Sequence, residues 1–314
     1  LCIRALSLAS VWKLTDLSAD IRALAGGSKS QPVRIAAILT LGQLGRDDSL
    51  FSDLLNDAET AESLKLAALN SMSRIDMNAA ANFGAKMVAT GGNTSEVLVL
   101  FFSREGGSKV LAEALLKNDL KAGPAAKALA ALQATGSSDE TLTQVLSKAA
   151  GIAVAGPVYS ENFVRDLARE SVGGNAARGK EVFHSVGCVA CHRVGAPTAG
   201  ITHIGPELST IGNTLSTERI IEEVLWPGRA VKEGFSLLQV TTKDGTIHQG
   251  YEERSRSEDI FLKPLGRADT VRIPQNQIRA KSQARSAMPA GLTATLKREQ
   301  LRDLIRFLSW QGRE

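Results

Sequence analysis

The 314-residue chain is short of many of the groups that usually carry protein chemistry. It has three cysteines, four histidines and four methionines. Once Cys188, Cys191 and the adjacent His192 are set aside, only Cys2, His184, His203 and His248 remain as cysteine or histidine donors, and none has zinc-knuckle spacing. No run approaches the ~20 apolar residues of a membrane span. A signal peptide is also missing from view, because Leu1 to Leu17 contains Arg4, Lys13 and Asp16 and has no uninterrupted apolar core. Charge of one sign is scarce as well: 37 Lys and Arg face 33 Asp and Glu. Residues 1–150 hold 15 of each, so the net +4 belongs to residues 151–314, which hold 22 and 18. That excess is too small to argue for nucleic-acid binding. It suits an acidic or dipolar protein partner.

What is present is concentrated in five residues, Cys188-Val189-Ala190-Cys191-His192. The C-x-x-C-H run is the attachment signature of a c-type haem. Two cysteines three apart can add across the two vinyl groups of one porphyrin, and the next histidine then lies under the iron as proximal ligand. A thioredoxin-like dithiol would open a helix in a βαβ unit, and no such pattern surrounds it. A plain disulfide does not explain the adjacent histidine.

The flanks add an ordered set. Gly179-Lys180-Glu181-Val182-Phe183 opens a short helix that runs into the cysteines, with Val182, Phe183 and Val186 on one face. Gly205-Pro206-Glu207-Leu208 follows, and Met288-Pro289 precedes an amphipathic helix from Leu296 to Trp310. With this order, residues 177–314 resemble a class I cytochrome c, and more narrowly the haem-binding domain found in large multidomain proteins of Planctomycetes and Verrucomicrobia. The resemblance implies thioethers at Cys188 and Cys191 and proximal ligation by His192. It further implies a carbonyl at Pro206 that accepts the His192 Nδ1–H, and Met288 as the distal ligand, a soft thioether that raises the reduction potential. Met288 is the one methionine in this region, since Met72, Met77 and Met87 lie upstream. His203 is its rival. His184 and His248 are expected to be solvated surface histidines. Arg279, Lys281 and Arg285 are candidates to pair with the haem propionates.

Residues 1–150 are rich in Ala and Leu, poor in aromatics and punctuated by Gly. Similar apolar segments start at Pro32, Glu62, Ser95 and Pro124. Each reads as a helix whose apolar face is too narrow to stand alone and is buried by stacking. The spacing resembles HEAT-like or armadillo-like repeats, although Phe101-Phe102 and Glu105-Gly106-Gly107 depart from the pattern. No catalytic cluster stands out here, so the segment reads as a docking scaffold. Residues 151–176 read as a joint, with one connecting helix from Glu161 to Ser171 ended by Gly173-Gly174. Between Trp226 and Met288, strands are expected at Ser236 to Thr242, Thr246 to Glu252, Asp259 to Lys263 and Thr270 to Ile273, the first two joined at Asp244-Gly245. This insert, about residues 232–282, is expected to cover one haem edge or to meet a partner, with Gln239, Lys243, Arg254 and Arg272 in water.

The expected architecture is mainly α: an α-solenoid over 1–150, a linker over 151–176, and an all-α cytochrome c domain over 177–314 with a small antiparallel β insert. The expected cofactor is one covalent haem c, and the expected role is single-electron transfer. The resemblance implies an attached or docked dehydrogenase as electron donor and another redox carrier as acceptor. Two other roles stay open: a peroxidase-like haem enzyme with an open distal site, and a scaffold gated by haem redox. Covalent haem attachment occurs outside the bacterial cytoplasm, so a periplasmic or otherwise exported location is expected. The chain starts at Leu in what reads as mid-helix, with Cys2 a leftover thiol, and is expected to be the C-terminal portion of a longer precursor.

Overall fold

The computed structural model describes residues 1–45, 48–135, 139–152, 159–196, 205–231, 234–256, 259–265 and 269–313. The chain is mainly helical with one small antiparallel sheet, and it divides into two compact units, Leu1–Ala128 and Leu129–Glu314.

The first unit runs through α1 (Cys2–Val11), α2 (Ser18–Gly27), α3 (Gln31–Gln43), α4 (Asp48–Asn56), α5 (Glu62–Ile75), α6 (Met77–Thr90), α7 (Thr94–Phe102), α8 (Gly107–Lys117) and the start of α9 (Ala122–Ala134). Helices stand at all four segments expected from the spacing. Starts and stops follow local chemistry: Pro32 sits in the first turn of α3, and Asp76 caps α6 by accepting from the Ala79 amide at 2.9 Å. Packing is between near neighbours in sequence, α1 with α3, α3 with α5, and α6 with α8. Three hydrogen bonds repeat the same step. The Thr40 hydroxyl is shared between the Ala36 carbonyl of its own helix at 2.8 Å and the Leu6 carbonyl at 3.3 Å, that of Ser71 donates to the Ile38 carbonyl, and Arg104 Nη2 to Asn70 Oδ1, so that the inter-helix contacts span 34, 33 and 34 residues.

Small residues make these contacts close. A Cβ on Gly42 would lie 2.5 Å from Ser71 Cβ, and one on Gly84 would lie 2.8 Å from the Phe101 ring. Phe101 is fully buried, so its ring fills the space that Gly84 leaves. The departure around Phe101 and Gly106-Gly107 is thus a packed variant: Gly106 takes φ +73°, and α8 starts against the Phe101 carbonyl.

The second unit continues with α10 (Glu140–Ala150), α11 (Glu161–Ser171), α12 (Ala176–Ser185), α13 (Ile211–Thr214), α14 (Thr217–Leu225), strands β1 (Ser236–Thr242), β2 (Ile247–Arg256), β3 (Asp259–Pro264), β4 (Val271–Pro274) and β5 (Ile278–Ser286), and α15 (Arg298–Ser309). The connecting helix and the final amphipathic helix stand where periodicity put them. Val164, Leu167, Val182, Phe183, Ile221, Leu304 and Leu308 are among the residues of one apolar core shared by α11, α12, α14 and α15.

The α12–α15 contact is the tightest of these. A Cβ on Gly179 would fall 2.0 Å from the Asp303 carbonyl oxygen, so only glycine lets the two backbones approach. Phe183 and Phe307 meet beside it in a tilted pair with centroids 5.6 Å apart. Asp303, 2% exposed, accepts from the Asn175 amide at 2.8 Å and from Arg178 Nε at 2.7 Å, which ties the start of α12 to α15. Burial pushes the Asp303 carboxyl up, but Arg178 and the Asn175 amide outweigh it and hold it below the usual range.

The sheet has the order β4-β3-β2-β1-β5, all antiparallel. Gly245 at φ +79° makes the expected β1–β2 turn. Val240, Ile260, Leu262 and Ile273 form its own small core. One strand was not expected: β5, Ile-Arg-Ala-Lys-Ser-Gln-Ala-Arg-Ser, pairs along β1 and carries the sheet to Ser286. Its polar sequence hides it, because its ladder bonds to β1 and not an apolar face hold it in place. Gln239 is half-buried, bonded by Gln249 Nε2 at 2.8 Å, rather than in water. Lys243 is exposed, and so is Arg272, which pairs with Asp259. The Arg254 side chain lies outside the described residues.

Candidate functional site

The Cys188–His192 run folds into one tight turn. Gly187 enters it at φ +83°, a left-handed conformation open to glycine, and Cys188–Ala190 form a single 3-10 turn. The amides of Cys191 and His192 both donate to the Cys188 carbonyl, at 3.1 and 2.9 Å. Cys188 packs against the α11–α12–α14–α15 core. Burial pushes its thiol up to about 11 and raises that of Cys191 as well, so both are protonated thiols at neutral pH.

A second loop closes on this turn from beneath. The Gly205 amide donates to the Cys191 carbonyl at 2.8 Å, the Leu208 amide to the Arg193 carbonyl at 2.8 Å, and the Gly195 amide to Ser209 Oγ at 2.6 Å. Between these rungs, His192 Nδ1 lies 2.9 Å from the Pro206 carbonyl oxygen. A carbonyl can only accept, so Nδ1 carries the hydrogen, and in the neutral ring this puts the lone pair on Nε2. Gly205 lies flat against the imidazole, where a Cβ would sit 2.6 Å from His192 Cε1. Glu207 shapes the same loop by accepting from the Ser209 amide at 2.6 Å.

Cys188, Cys191 and His192 therefore share one turn, and Pro206, whose place here only the family resemblance implied, meets His192. Met288 stands half-buried in the bend after β5, its amide donating to Ser286 Oγ at 3.1 Å. Among the described residues, no hydrogen bond or ring contact joins it to the histidine. Its link is through the sheet: Ser286 pairs with Ser236, next to Phe235, whose ring meets Tyr251 edge-on at 5.9 Å. The Tyr251 hydroxyl is pushed up to about 12, by burial first and then by the nearby Cys191. One end of the sheet thus sets Phe235, Tyr251 and the start of the Met288 bend together, and of these Tyr251 feels the charge of Cys191. Sequence reading missed Tyr251, because a tyrosine in an alternating strand carries no sign of what it faces.

The other candidates separate. His184 is exposed, edge-on to Phe183. His248 is half-buried opposite Val240 rather than solvated, and burial lowers its pKa against the pull of Asp244. It is held there by β2, whose pairing with β1 turns that position toward Val240. His203 lies outside the described residues. Arg279 and Lys281 are exposed on β5, and the Arg285 side chain is outside what is described. Cys2 is exposed. Among the described residues, no three His, Cys, Asp or Glu side chains are grouped to hold a metal ion, and no helix is long and apolar enough to cross a membrane. A polar cleft of about 290 Å³, lined by Lys29, Arg34, Asp57 and Glu59 among others, belongs to the first unit. No protein-family model matches the chain, and no curated protein does either.

Proposed function

We propose that residues 177–314 form a class I cytochrome c domain with a β insert, carrying one covalent haem c and passing single electrons. The observation that carries this reading is the His192 cradle, the Nδ1 contact to the Pro206 carbonyl at 2.9 Å with Gly205 filling the space against the ring. A histidine so held has its tautomer and orientation fixed before any ligand arrives, and the carbonyl makes it a more electron-rich donor through Nε2. Two thiols on the same turn complete a donor set suited to this cofactor and to little else.

In this reading Cys188 and Cys191 would hold the haem through thioethers, and His192 and Met288 would ligate its iron. The haem supplies one-electron Fe(III)/Fe(II) cycling. The protein's own residues orient the imidazole, bury the thioether side against the helical core, and wall off one edge with Phe235 and Tyr251. With His192 and Met288 both engaged as its ligands, the group would offer no open site to substrate, and the chain would work as an electron-transfer component rather than as a catalyst. The preceding helices act as a HEAT-like α-solenoid for docking. The whole is the electron-accepting part of a larger exported dehydrogenase or complex, with another redox carrier as acceptor. The regular 33- to 34-residue step of the Thr40, Ser71 and Arg104 bonds supports the solenoid part.

The test is a reduced-minus-oxidised spectrum of protein matured with haem. The expected result is a low-spin c-type spectrum with a methionine–iron(III) charge-transfer band that Met288→Ala abolishes. High-spin iron that reacts with peroxide would replace this reading by the haem-enzyme one.

A further inference from the structure

After α15 the chain turns back over α13 and grips it. The Gly212 amide donates to the Gln311 carbonyl at 3.0 Å, and the Asn213 side-chain amide donates to the Gly312 carbonyl. Arg313 donates twice to the Gly212 carbonyl, from Nε at 2.9 Å and from Nη2 at 2.8 Å. The Gln311 side chain ties the same turn to α15 by donating to the Phe307 carbonyl at 2.8 Å. Glycine makes the fit possible on both sides. A Cβ on Gly212 would lie 2.2 Å from the Ser309 carbonyl oxygen, and Gly312, at φ +80°, would put one 2.9 Å from Thr210 Cα.

What is gripped is the far end of the His192 loop. α13 has four residues, a single turn that cannot hold itself and takes its place from its neighbours. The Ile211 amide donates back to the Leu208 carbonyl at 3.1 Å, and the Asn213 amide to that of Thr210 at 3.0 Å, so α13 and residues 208–210 move as one piece. Leu208 and Ser209 in turn hold Arg193 and Gly195, just after His192. The Pro206 carbonyl lies between that rung and the one from Gly205 to Cys191.

We propose that Arg313, seated by Gly312, is a positioning residue for His192: by holding the Gly212 carbonyl it keeps the Pro206 carbonyl on Nδ1 and so fixes the tautomer of the imidazole. Two of the four bonds between this turn and α13 come from its guanidinium. They are charge-assisted, and both converge on one oxygen, which sets direction as well as distance. The coupling runs through contiguous bonded groups, from Arg313 to Gly212, to Leu208 and Ser209, to the His192 turn. This inference rests on the His192 cradle of the proposed function.

The test is nitrogen NMR of the histidine rings in the haem-free full chain, which reads which ring nitrogen of His192 carries the hydrogen. In the parent it should be Nδ1. In Arg313→Ala the share carried on Nε2 should rise by about fivefold, and further in Gly312→Ala, whose new Cβ pushes Thr210 away. Arg306→Ala is the control. That guanidinium lies 4.1 Å from the Trp310 ring centre at the same end of α15, and its loss should leave the His192 ring unchanged. In haem-loaded protein Arg313→Ala should raise the reduction potential, because a less firmly bonded imidazole is a weaker donor. A ring unchanged in both variants, or shifted as much by Arg306→Ala, would overturn the role of Arg313 and leave the cradle standing. A parent ring with its hydrogen on Nε2 would overturn the cradle, and with it both the proposed function and this inference.

Discussion

The two units bury their helices over very different lengths of chain. In Leu1–Ala128 the inter-helix hydrogen bonds of Thr40, Ser71 and Arg104 reach 33 or 34 residues, and the core interleaves many alanines, such as Ala37, Ala68, Ala81 and Ala85, with leucines and the buried Phe51 and Phe101. In Leu129–Glu314 the bonds of Asp303 reach 125 and 128 residues, and Arg313 bonds Gly212 over 101. That core is built from Phe183, Phe307, Leu304 and Ile305. Cation–aromatic pairs line its rim, with Arg229 3.4 Å from the Tyr159 ring and Arg298 4.4 Å from that of Phe163. In the first arrangement each helix packs chiefly on helices close to it in sequence. The second is closed, because α15 must return to α12 before the cysteine turn has a floor.

The sharpest way to break this contrast is Gly179→Val. The new side chain meets the Asp303 carbonyl, so α12 and α15 must separate, at a cost of about 3 kcal/mol or more. Unfolding followed by Trp226 and Trp310 fluorescence should shift to lower denaturant while Trp12, in the first unit, reports no change. If all three tryptophans shift together, the two units are not independent in stability.

A smaller effect is expected from Asp303→Asn. Arg178 is half exposed and can rehydrate, so the loss is about 2 kcal/mol rather than the larger cost of a fully buried pair. The sign with pH follows from the lowered carboxyl. Its contribution is complete above the unfolded value of about 3.9 and is lost as pH falls through the lower folded value. The difference between parent and variant should therefore be constant at neutral pH and shrink below about pH 4. A difference that grows on acidification would show that Asp303 is not held ionised by its partners.

The smallest effect belongs to the first unit. Nothing lies within 4 Å of a Cβ placed on Gly26, which sits inside α2. Gly26→Ala should stabilise that unit by about 0.5–1 kcal/mol, through the unfolded chain as much as the helix. Thermal unfolding read at Trp12 checks it, and a destabilisation would mean that α2 ends before Gly26 in solution.

Much of the organisation was legible because it is periodic. The helix from Glu161 to Ser171, the strand from Ser236 to Thr242 and the Asp244-Gly245 turn all announce themselves through local spacing. The pairing of His192 with the Pro206 carbonyl was implied by a family likeness and matches the geometry. What stayed hidden depends on non-local partners. β5 looks like a charged loop until β1 pairs with it. His248 looks like a surface histidine until Val240 faces it across the ladder. Tyr251 shows nothing of its place near Cys191, because strand alternation says which residues share a face and not what that face meets.

By itself, then, the sequence determined the elements and the chemistry available to them: helices from 3.6-residue periodicity, strands from alternation, and two thiols with an adjacent histidine at fixed spacing. The tertiary structure alone decided which groups stand together. Gly205 beneath the imidazole, Gly179 against Asp303, and the sheet end that gathers Phe235, Tyr251 and the Met288 bend all join residues far apart in the chain. Local propensity fixes backbone conformation over a few residues, whereas such contacts come from burying surfaces against each other, which only the whole chain can arrange.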